Sequence, residues 1–270
     1  MKSNSHFAVF IVAPTLWCKL QLVFQYLINH IINMPLQYIY TGYSKCGTKT
    51  MAEVFRILGF KVCDFEETML DITTEWIEFI DGRKTHEQRI ELLKKMFQDF
   101  DACMGAPCYV YWQELMTAFP DAKCIFYQRE ENSWAKSCVT QLEKPFQSFP
   151  GNLPDWIHTS LYNVGFYPGI WKTQQTLYRG FMCDTLSDNA DWSVNWYGAQ
   201  YSFNMTRARR AYRSHNANFL MNCPEDKRLV IEDMDCGWQV ICEFVKKPVP
   251  GVEYRGVEGC PPCTLCTPWK

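Results

Sequence analysis

The sequence predicts an α/β fold in which helices flank a mainly parallel central sheet. Short apolar runs alternate along the chain with segments of helical periodicity, and this alternation is typical of parallel sheets with right-handed crossovers. A small-residue loop with cations, residues 41–50, follows the first apolar run and opens the first helical pattern. A chain of 270 residues is long enough for one such domain with extensions. The net charge of −2 implies no polyanion-binding surface overall, so we expect no nucleic acid partner.

The elements of the first half follow in chain order from apolar runs and their periodicity. The run over 36–41 predicts a strand, and the helix over 48–58 shows one apolar face. The residues on that face are Met51, Val54, Phe55 and Leu58. A second strand near 60–64 and helices across 73–100 come next. A third strand is expected near 101–105, followed by a helix over 108–118.

The second half continues the same alternation around a long aromatic segment. A buried strand over 122–128 precedes a helix over 132–142, which Asn132 or Ser133 can cap. Residues 145–190 are aromatic and contain turn signals, which predicts loops and short helices over a cleft. A long helix near 191–221 then leads to a last strand over 229–231 and an amphipathic helix over 238–245.

The segment TGYSKCGTKT, residues 41–50, has the layout of a phosphate cradle. Backbone N–H groups of such loops converge on an anion, and the helix N-terminus adds positive potential. Gly42 and Gly47 have Walker A spacing, but Thr48 intervenes before Lys49 and Thr50. A second lysine, Lys45, precedes Gly47 by two residues. The loop therefore predicts a phosphorylated ligand, and a generic strand-to-helix turn is the alternative.

A second segment carries a cation at the carboxyl end of a predicted strand. Arg129 follows the strand over 122–128, at the edge where open α/β sheets bind ligands, and Ser137 lies eight residues further on in the next helix. The planar fork of an arginine donates two parallel hydrogen bonds to phosphate oxygens. The alternative is that Arg129 pairs on the surface with Glu130 or Glu131 and that Ser137 is an ordinary helix residue.

Three motifs in order resemble the P-loop sulfotransferase-like family. The order Lys-x-Gly-Thr-x-Thr resembles that family's 5′-phosphosulfate loop, and the spacing of Arg129 and Ser137 resembles its pair for the 3′-phosphate. The segment Gly-Trp-Gln-Val-Ile-Cys-Glu-Phe, residues 237–244, resembles the C-terminal Gly-Trp-x-x-Leu-Cys-x-Phe motif. Tyr212-Arg-Ser-His-Asn216 resembles its Tyr-x-x-His-Asn helix. The likeness runs from about Met34 to Gly251 and implies a P-loop NTPase-like three-layer fold.

The resemblance also implies an activity and a set of binding residues. It implies transfer of a sulfuryl group from 3′-phosphoadenosine 5′-phosphosulfate to a hydroxyl or amine of a small-molecule or glycan acceptor, with no metal. Lys45 would be the catalytic cation that reaches the oxygen bridging phosphate and sulfate. The residues implied to bind the co-substrate are Lys45, Cys46, Gly47, Thr48, Lys49, Thr50, Arg129 and Ser137.

Two departures from the family pattern keep other functions open. Gly105 stands where the family usually has an acid, and Cys46 stands where serine or threonine is common. A binding protein that retains the fold without activity is therefore one alternative. A P-loop kinase or NTPase is another, with Asp233 and Asp235 available to hold Mg²⁺. By residue type, the candidates for a general base are His86, Asp64, Glu66 and Glu67, and we expect each of these to be a solvated surface residue.

The two ends of the chain are expected to lie outside the α/β domain. We divide the chain into an N-terminal extension over 1–34, a sulfotransferase-like domain over 35–251 and a Cys/Pro-rich tail over 252–270. Residues 7–33 are apolar enough to suggest a membrane anchor, but Lys19 interrupts them. The 14 scattered cysteines suit free thiols in a reducing compartment, so we expect a cytoplasmic protein, with a single-pass membrane protein as the alternative. The oligomeric state is not predicted.

Overall fold

The computed structural model describes residues 36–80, 83–143 and 205–254 of the chain. Five strands form one sheet in which every pair is parallel, in the order β2-β3-β1-β4-β5. The strands are β1 (Tyr38–Tyr40), β2 (Val62–Cys63), β3 (Ala102–Cys103), β4 (Lys123–Tyr127) and β5 (Arg228–Ile231). The predicted parallel α/β fold is thus confirmed.

Eight α-helices surround this sheet within the described residues. They are α1 (Thr48–Ile57), α2 (Phe65–Leu70), α3 (Thr73–Ile80), α4 (His86–Met96), α5 (Trp112–Ala118), α6 (Glu131–Glu143), α7 (Met205–Asn222) and α8 (Gly237–Val245). A short 3₁₀ turn, Glu225–Lys227, leads from α7 into β5.

The helices cover both faces of the sheet, which gives three layers. Tyr38 and Tyr40 of β1 pack on one face with Phe55 of α1 and Ile241 of α8. Ile39 points to the opposite face, as the period of two in a strand requires. On that face the core is built from large side chains of several helices: Trp76, Phe79, Leu93, Phe97, Trp112, Leu115 and Phe219. Because both faces are buried, the strands are continuous apolar runs rather than alternating ones.

The strand order brings four chain segments to one edge of the sheet. β1 lies between β3 and β4, with Tyr38 opposite both Ala102 and Lys123. Since all strands are parallel, the segments that follow β1, β2, β3 and β4 leave the sheet at the same carboxyl edge. These segments contain the loop over 41–50, Asp64, Gly105 and Arg129.

Several predicted boundaries are wrong in detail. Helix α2 lies in a stretch for which the sequence predicted no helix, and α5 begins at Trp112 rather than near 108. Helix α6 begins at Glu131, and its first N–H groups are capped by the carboxylate of Glu130, not by a side chain of Asn132 or Ser133. The Glu130 oxygens accept the N–H groups of those two residues at 2.8 and 2.7 Å.

Some predictions fall outside the described residues. These are the extension over 1–34, the aromatic segment 145–190, the first part of the helix near 191–221 and the end of the tail beyond 254. Within 36–80, 83–143 and 205–254, no helix is both long and apolar enough to cross a bilayer. The nine cysteines in those ranges are all free thiols.

Candidate functional site

The loop after β1 has the backbone geometry of an anion cradle. Lys45 and Gly47 both have left-handed backbones, with φ of 70° and 74°. Such conformations alternating with ordinary ones turn neighbouring N–H groups towards one side. Gly47 is the N-cap of α1, where the structure shows no side-chain cap, and the first turn of α1 contains no acidic residue. The positive potential of this helix end is therefore available to an anion.

Glycines let two side chains approach the loop closely. A Cβ at Gly42 would lie 2.7 Å from the Tyr40 ring, and a Cβ at Gly47 would collide with the side chain of Met234. The Tyr40 hydroxyl also donates a hydrogen bond to the carbonyl of Cys46. The loop is thus held between β1 on one side and the turn after β5 on the other.

An aromatic cluster holds the other side of the loop. The indole N–H of Trp134 donates to the Ser44 carbonyl at 2.9 Å. The Trp134 ring stacks on Tyr212, with centroids 4.2 Å apart, and Tyr43 meets both rings edge-on. Helices α6 and α7 therefore fix the loop through contacts to its main chain.

Arg129 is attached to the same loop. Its Nη1 donates to the Lys45 carbonyl at 3.1 Å, and its Nη2 lies 3.5 Å from the Ser133 hydroxyl. Glu131 instead pairs with Arg209 and Arg213 of α7, at 2.8 and 3.1 Å. The structure therefore shows Arg129 at the loop rather than in a surface pair with its acidic neighbours.

Ser137 lies one helical turn beyond Ser133 in α6. Residues four apart share a face of a helix, so Ser137 lies on the face that carries the Ser133 hydroxyl near Arg129. Ser137 is half-buried. Its predicted role at a 3′-phosphate stays a prediction.

Cys46 is engaged inside the protein. Its thiol is fully buried and lies 3.7 Å from the Tyr212 hydroxyl, while its N–H donates to the Tyr43 carbonyl at 3.0 Å. Burial raises the pKa of the Cys46 thiol, so the thiol stays protonated at neutral pH. The structure therefore gives Cys46 a role in packing the loop, and its predicted contact to a ligand stays a prediction.

Two side chains of α7 hold the ends of the site. The Tyr212 hydroxyl donates to the Arg129 carbonyl at 2.6 Å. His215 Nε2 lies 2.8 Å from the Thr41 carbonyl, and since a carbonyl can only accept, this nitrogen carries the proton. Burial lowers the pKa of His215, so the ring is neutral at pH 7.

The first turn of α1 contains the other predicted binding residues. Thr48 is half-buried and Thr50 is buried. Lys49 forms an ion pair with Asp64, at 2.6 Å, and lies 3.6 Å from a Glu66 oxygen. Lys49 thus reaches the turn that follows β2, which the sequence did not predict.

The base candidates occupy very different environments. His86 is exposed at the start of α4, and Glu67 pairs with Arg56 at 2.8 Å. Asp64 is only 1% exposed, so the expectation that it is a solvated surface residue is wrong. Of these candidates, Asp64 and Glu66 contact a predicted binding residue, Lys49.

The acids offered for a kinase-type metal site lie in an ordinary turn. Asp233 and Asp235 are exposed after β5, and an Asp233 oxygen accepts the N–H of Asp235 at 3.1 Å. In the part of the chain that the structure describes, no group of three His, Cys, Asp or Glu side chains is arranged to hold a metal ion. Met234, between these two acids, packs against Gly47 instead.

The sequence did not point to three residues that shape the site, Tyr40, Trp134 and Met234, nor to the contact that Asp64 makes. From the sequence, Tyr40 and Trp134 are expected to be ordinary core aromatics, and Met234 is expected to be an ordinary turn residue. Asp64 was named by residue type only, because its contact to Lys49 depends on the order of strands in the sheet. An acidic residue at the end of the second predicted strand is the one sequence signal that could have pointed to it.

Comparison with known proteins agrees with this geometry. The family model for the sulfotransferase domain matches residues 37–258. One curated relative is the Ava biosynthesis cluster protein M of Aspergillus versicolor. It is 24% identical over 225 residues, which cover 79% of this chain and 77% of that protein. The matched range includes the loop over 41–50, Arg129, Ser137 and the motif over 237–244. The chain belongs to the sulfotransferase domain family.

Proposed function

We propose that this protein transfers a sulfuryl group from 3′-phosphoadenosine 5′-phosphosulfate to a hydroxyl or amine of a small-molecule or glycan acceptor. The observation that carries the proposal is the contact between Arg129 and the Lys45 carbonyl, at 3.1 Å. It joins the loop suited to a 5′-phosphosulfate to the arginine suited to a 3′-phosphate. The relative's name, a biosynthesis cluster protein, agrees with a transferase role.

Binding would use the main chain of the loop and two cationic segments. The N–H groups of Gly47 and Thr48 and the start of α1 would hold the 5′-phosphate, with the Thr48 and Thr50 hydroxyls as further donors. Arg129 and Ser137 would hold the 3′-phosphate through charge-assisted hydrogen bonds. The helices α6 and α7 support this arrangement, because their side chains fix the Ser44 and Arg129 carbonyls.

The reaction resembles phosphoryl transfer in its demands on the protein. The acceptor oxygen or nitrogen forms a bond to sulfur and gives up its proton to a general base or to water. The bond from sulfur to the bridging phosphate oxygen breaks, and the leaving bisphosphate keeps the electron pair. Negative charge grows on that oxygen, and Lys45 would stabilise it in the transition state. A preorganised loop lowers the cost of this step, because its dipoles need not reorient.

The experiment is calorimetry with two nucleotides on wild type and Arg129→Ala. We expect wild type to prefer 3′-phosphoadenosine 5′-phosphate over 5′-AMP. Arg129→Ala should lose about 1.5–3 kcal/mol more for the bisphosphate than for AMP, because only the bisphosphate offers the second phosphate. Arg213→Ala is the matched control, since it removes a largely exposed arginine from the pair with Glu131. Equal affinity of wild type for both nucleotides would overturn the proposal.

A further inference from the structure

Asp64 and Gly105 are neighbours at the carboxyl edge of the sheet. Asp64 directly follows β2, and Gly105 lies two residues beyond β3, which pairs with β2 through Cys63 and Cys103. Gly105 has φ of 78°, and a Cβ placed there would lie 3.1 Å from Asp64 Oδ1. The glycine at position 105 therefore leaves room for a carboxylate that comes from the adjacent strand.

The Asp64 carboxylate faces a cation of the phosphate loop. Lys49 Nζ lies 2.6 Å from Asp64 Oδ2, and the Lys49 side chain is 29% exposed whereas that of Asp64 is 1% exposed. The same ammonium lies 3.6 Å from a Glu66 oxygen. One buried and one partly exposed carboxylate thus hold the ammonium of a residue in the first turn of α1.

This buried charge is costly for the fold. Burial raises the pKa of Asp64, and the opposing effect of Lys49 does not cancel it. A carboxyl group whose folded pKa is raised destabilises the folded state as the pH rises above the unfolded value. The Lys49 side chain is partly exposed, so water can solvate its ammonium without the help of Asp64. A charge kept at a cost to stability is more often found at functional sites than elsewhere.

We propose that Asp64, in the space that Gly105 leaves beside it, acts as a positioning residue that holds the Lys49 ammonium for the anion bound in the loop over 41–50. The inference rests on the proposed function, because it takes the loop ligand to be a phosphosulfate or phosphate. Asp64 does not contact the ligand in this scheme. It acts through Lys49, because the ion pair restricts the rotamers of the lysine side chain.

Removing Asp64 would have the opposite effect on anion affinity if the carboxylate only neutralised the charge of Lys49. If Asp64 only neutralised Lys49, its removal would raise the positive potential at the loop, and an anion would bind equally well or more tightly. If Asp64 positions Lys49, its removal weakens anion binding although the net charge becomes more favourable. The sign of the change in affinity therefore separates the two roles.

The test is calorimetry with 3′-phosphoadenosine 5′-phosphate and with inorganic pyrophosphate on wild type and Asp64→Asn. We expect Asp64→Asn to bind both ligands more weakly, by on the order of tenfold. Its melting temperature should be equal to or above that of wild type, because the buried charge is gone. Glu91→Gln is the matched control, since it removes an exposed ion pair with Lys94 on α4. This control should change neither the affinity nor the melting temperature.

Two double variants test where the carboxylate must stand and whether it acts through Lys49. In Gly105→Asp combined with Asp64→Asn, the carboxylate is moved to the end of the adjacent strand, and we expect part of the lost affinity to return. Aspartate tolerates the left-handed backbone at position 105 better than most residues do. In Lys49→Gln combined with Asp64→Asn, affinity should equal that of Lys49→Gln alone, because Asp64 acts only through Lys49.

The outcomes distinguish this inference from the proposed function. Unchanged or tighter binding by Asp64→Asn would overturn the inference while leaving the proposed function intact. Binding of pyrophosphate but not of the bisphosphate by wild type would overturn the proposed nucleotide, and the pyrophosphate arm would still test Asp64. Binding of neither ligand would overturn both. Additive losses in the Lys49 and Asp64 variants would show that Asp64 does not act through Lys49.

Discussion

Lys45 combines a left-handed backbone with a cationic side chain directly before Gly47. A non-glycine residue with φ of 70° is uncommon, and such positions persist only where the surrounding structure enforces them. Here the enforcement comes from Arg129, which holds the Lys45 carbonyl, and from Trp134, which holds the carbonyl of the preceding residue. The backbone of Lys45 is thus fixed by the surrounding fold.

Replacing Lys45 tests its role at the scale of one residue. We expect Lys45→Ala to lower turnover of 3′-phosphoadenosine 5′-phosphosulfate by roughly 10²-fold, the usual loss when one stabilising group of a transition state is removed. Affinity for the bisphosphate product should change much less, because the cation acts on charge that develops during transfer. Steady-state kinetics with calorimetry measures both quantities, and Lys94→Ala is a remote control. Unchanged turnover in an active preparation would contradict the catalytic role proposed for Lys45.

Single residues also show where inference from the sequence stops. The glycines, lysines and arginine of the site could be named from the sequence, because loop chemistry is local and its spacing is visible. The contact of Lys49 with Asp64 could not, since it depends on β2 lying beyond β3 in the sheet. The capping role of Glu130 was missed for a different reason. Glutamate one residue before a helix is usually a dipole partner rather than the cap itself.

At the scale of elements, the site is a β1–loop–α1 unit clamped by α6 and α7. The clamp acts on main-chain carbonyls: Trp134 on Ser44, Tyr212 on Arg129 and His215 on Thr41. Main-chain contacts fix the shape of the loop whatever side chains it carries. This explains how the loop keeps its geometry with Cys46 at this position.

The Tyr212 hydroxyl provides a test of this clamp. Tyr212→Phe keeps the ring stacked on Trp134 but leaves the Arg129 carbonyl without its donor, and we expect a loss of about 1–3 kcal/mol in the free energy of unfolding. Tyr38→Phe is the matched control, because its hydroxyl makes a longer bond, 3.4 Å, to the Val245 carbonyl. Chemical denaturation measures both variants. Equal losses of unfolding free energy in the two variants would contradict the claim that the contact between Tyr212 and the Arg129 carbonyl stabilises the site.

The elements themselves were predicted best where the chain is buried on both faces. Strands β1 and β4 are continuous apolar runs, and α1 has a clear apolar face, so their type and place could be predicted. Helix α2 was missed because Phe65–Leu70 is too short to establish a period of 3.6 residues. Its start is stabilised by local contacts, such as the Glu67 carboxylate that accepts the N–H of Asp64 at 2.9 Å.

At the scale of the whole molecule, the α/β pattern and the family match begin close together. The first described residue, Leu36, is buried in the core, and the sulfotransferase domain match starts at residue 37. Every residue predicted for the site lies beyond that point. The division into an extension over 1–34 and a domain from 35 onward stays a prediction.

A truncated chain that starts at Met34 tests this division. We expect it to be soluble, to unfold in one cooperative transition and to bind 3′-phosphoadenosine 5′-phosphate as the full chain does, because it retains Leu36 and all of the loop. Calorimetry and thermal denaturation on both forms provide the comparison. The distribution of the full chain between membrane and soluble fractions then separates an anchor from an extension. Aggregation of the truncated form, or loss of its nucleotide binding, would show that residues 7–33 belong to the folded domain.

The central claim is that the loop and Arg129 together recognise an adenosine nucleotide with phosphates at both the 3′ and 5′ positions. The most direct test is calorimetry on the wild-type full chain with 3′-phosphoadenosine 5′-phosphate in the presence of a chelator, and with ATP in the presence of Mg²⁺. The account predicts binding of the bisphosphate without metal, at least about tenfold tighter than ATP with Mg²⁺, because ATP lacks the 3′-phosphate that Arg129 would hold. Tighter binding of ATP, or a strict need for Mg²⁺, would contradict it and favour a P-loop kinase or NTPase.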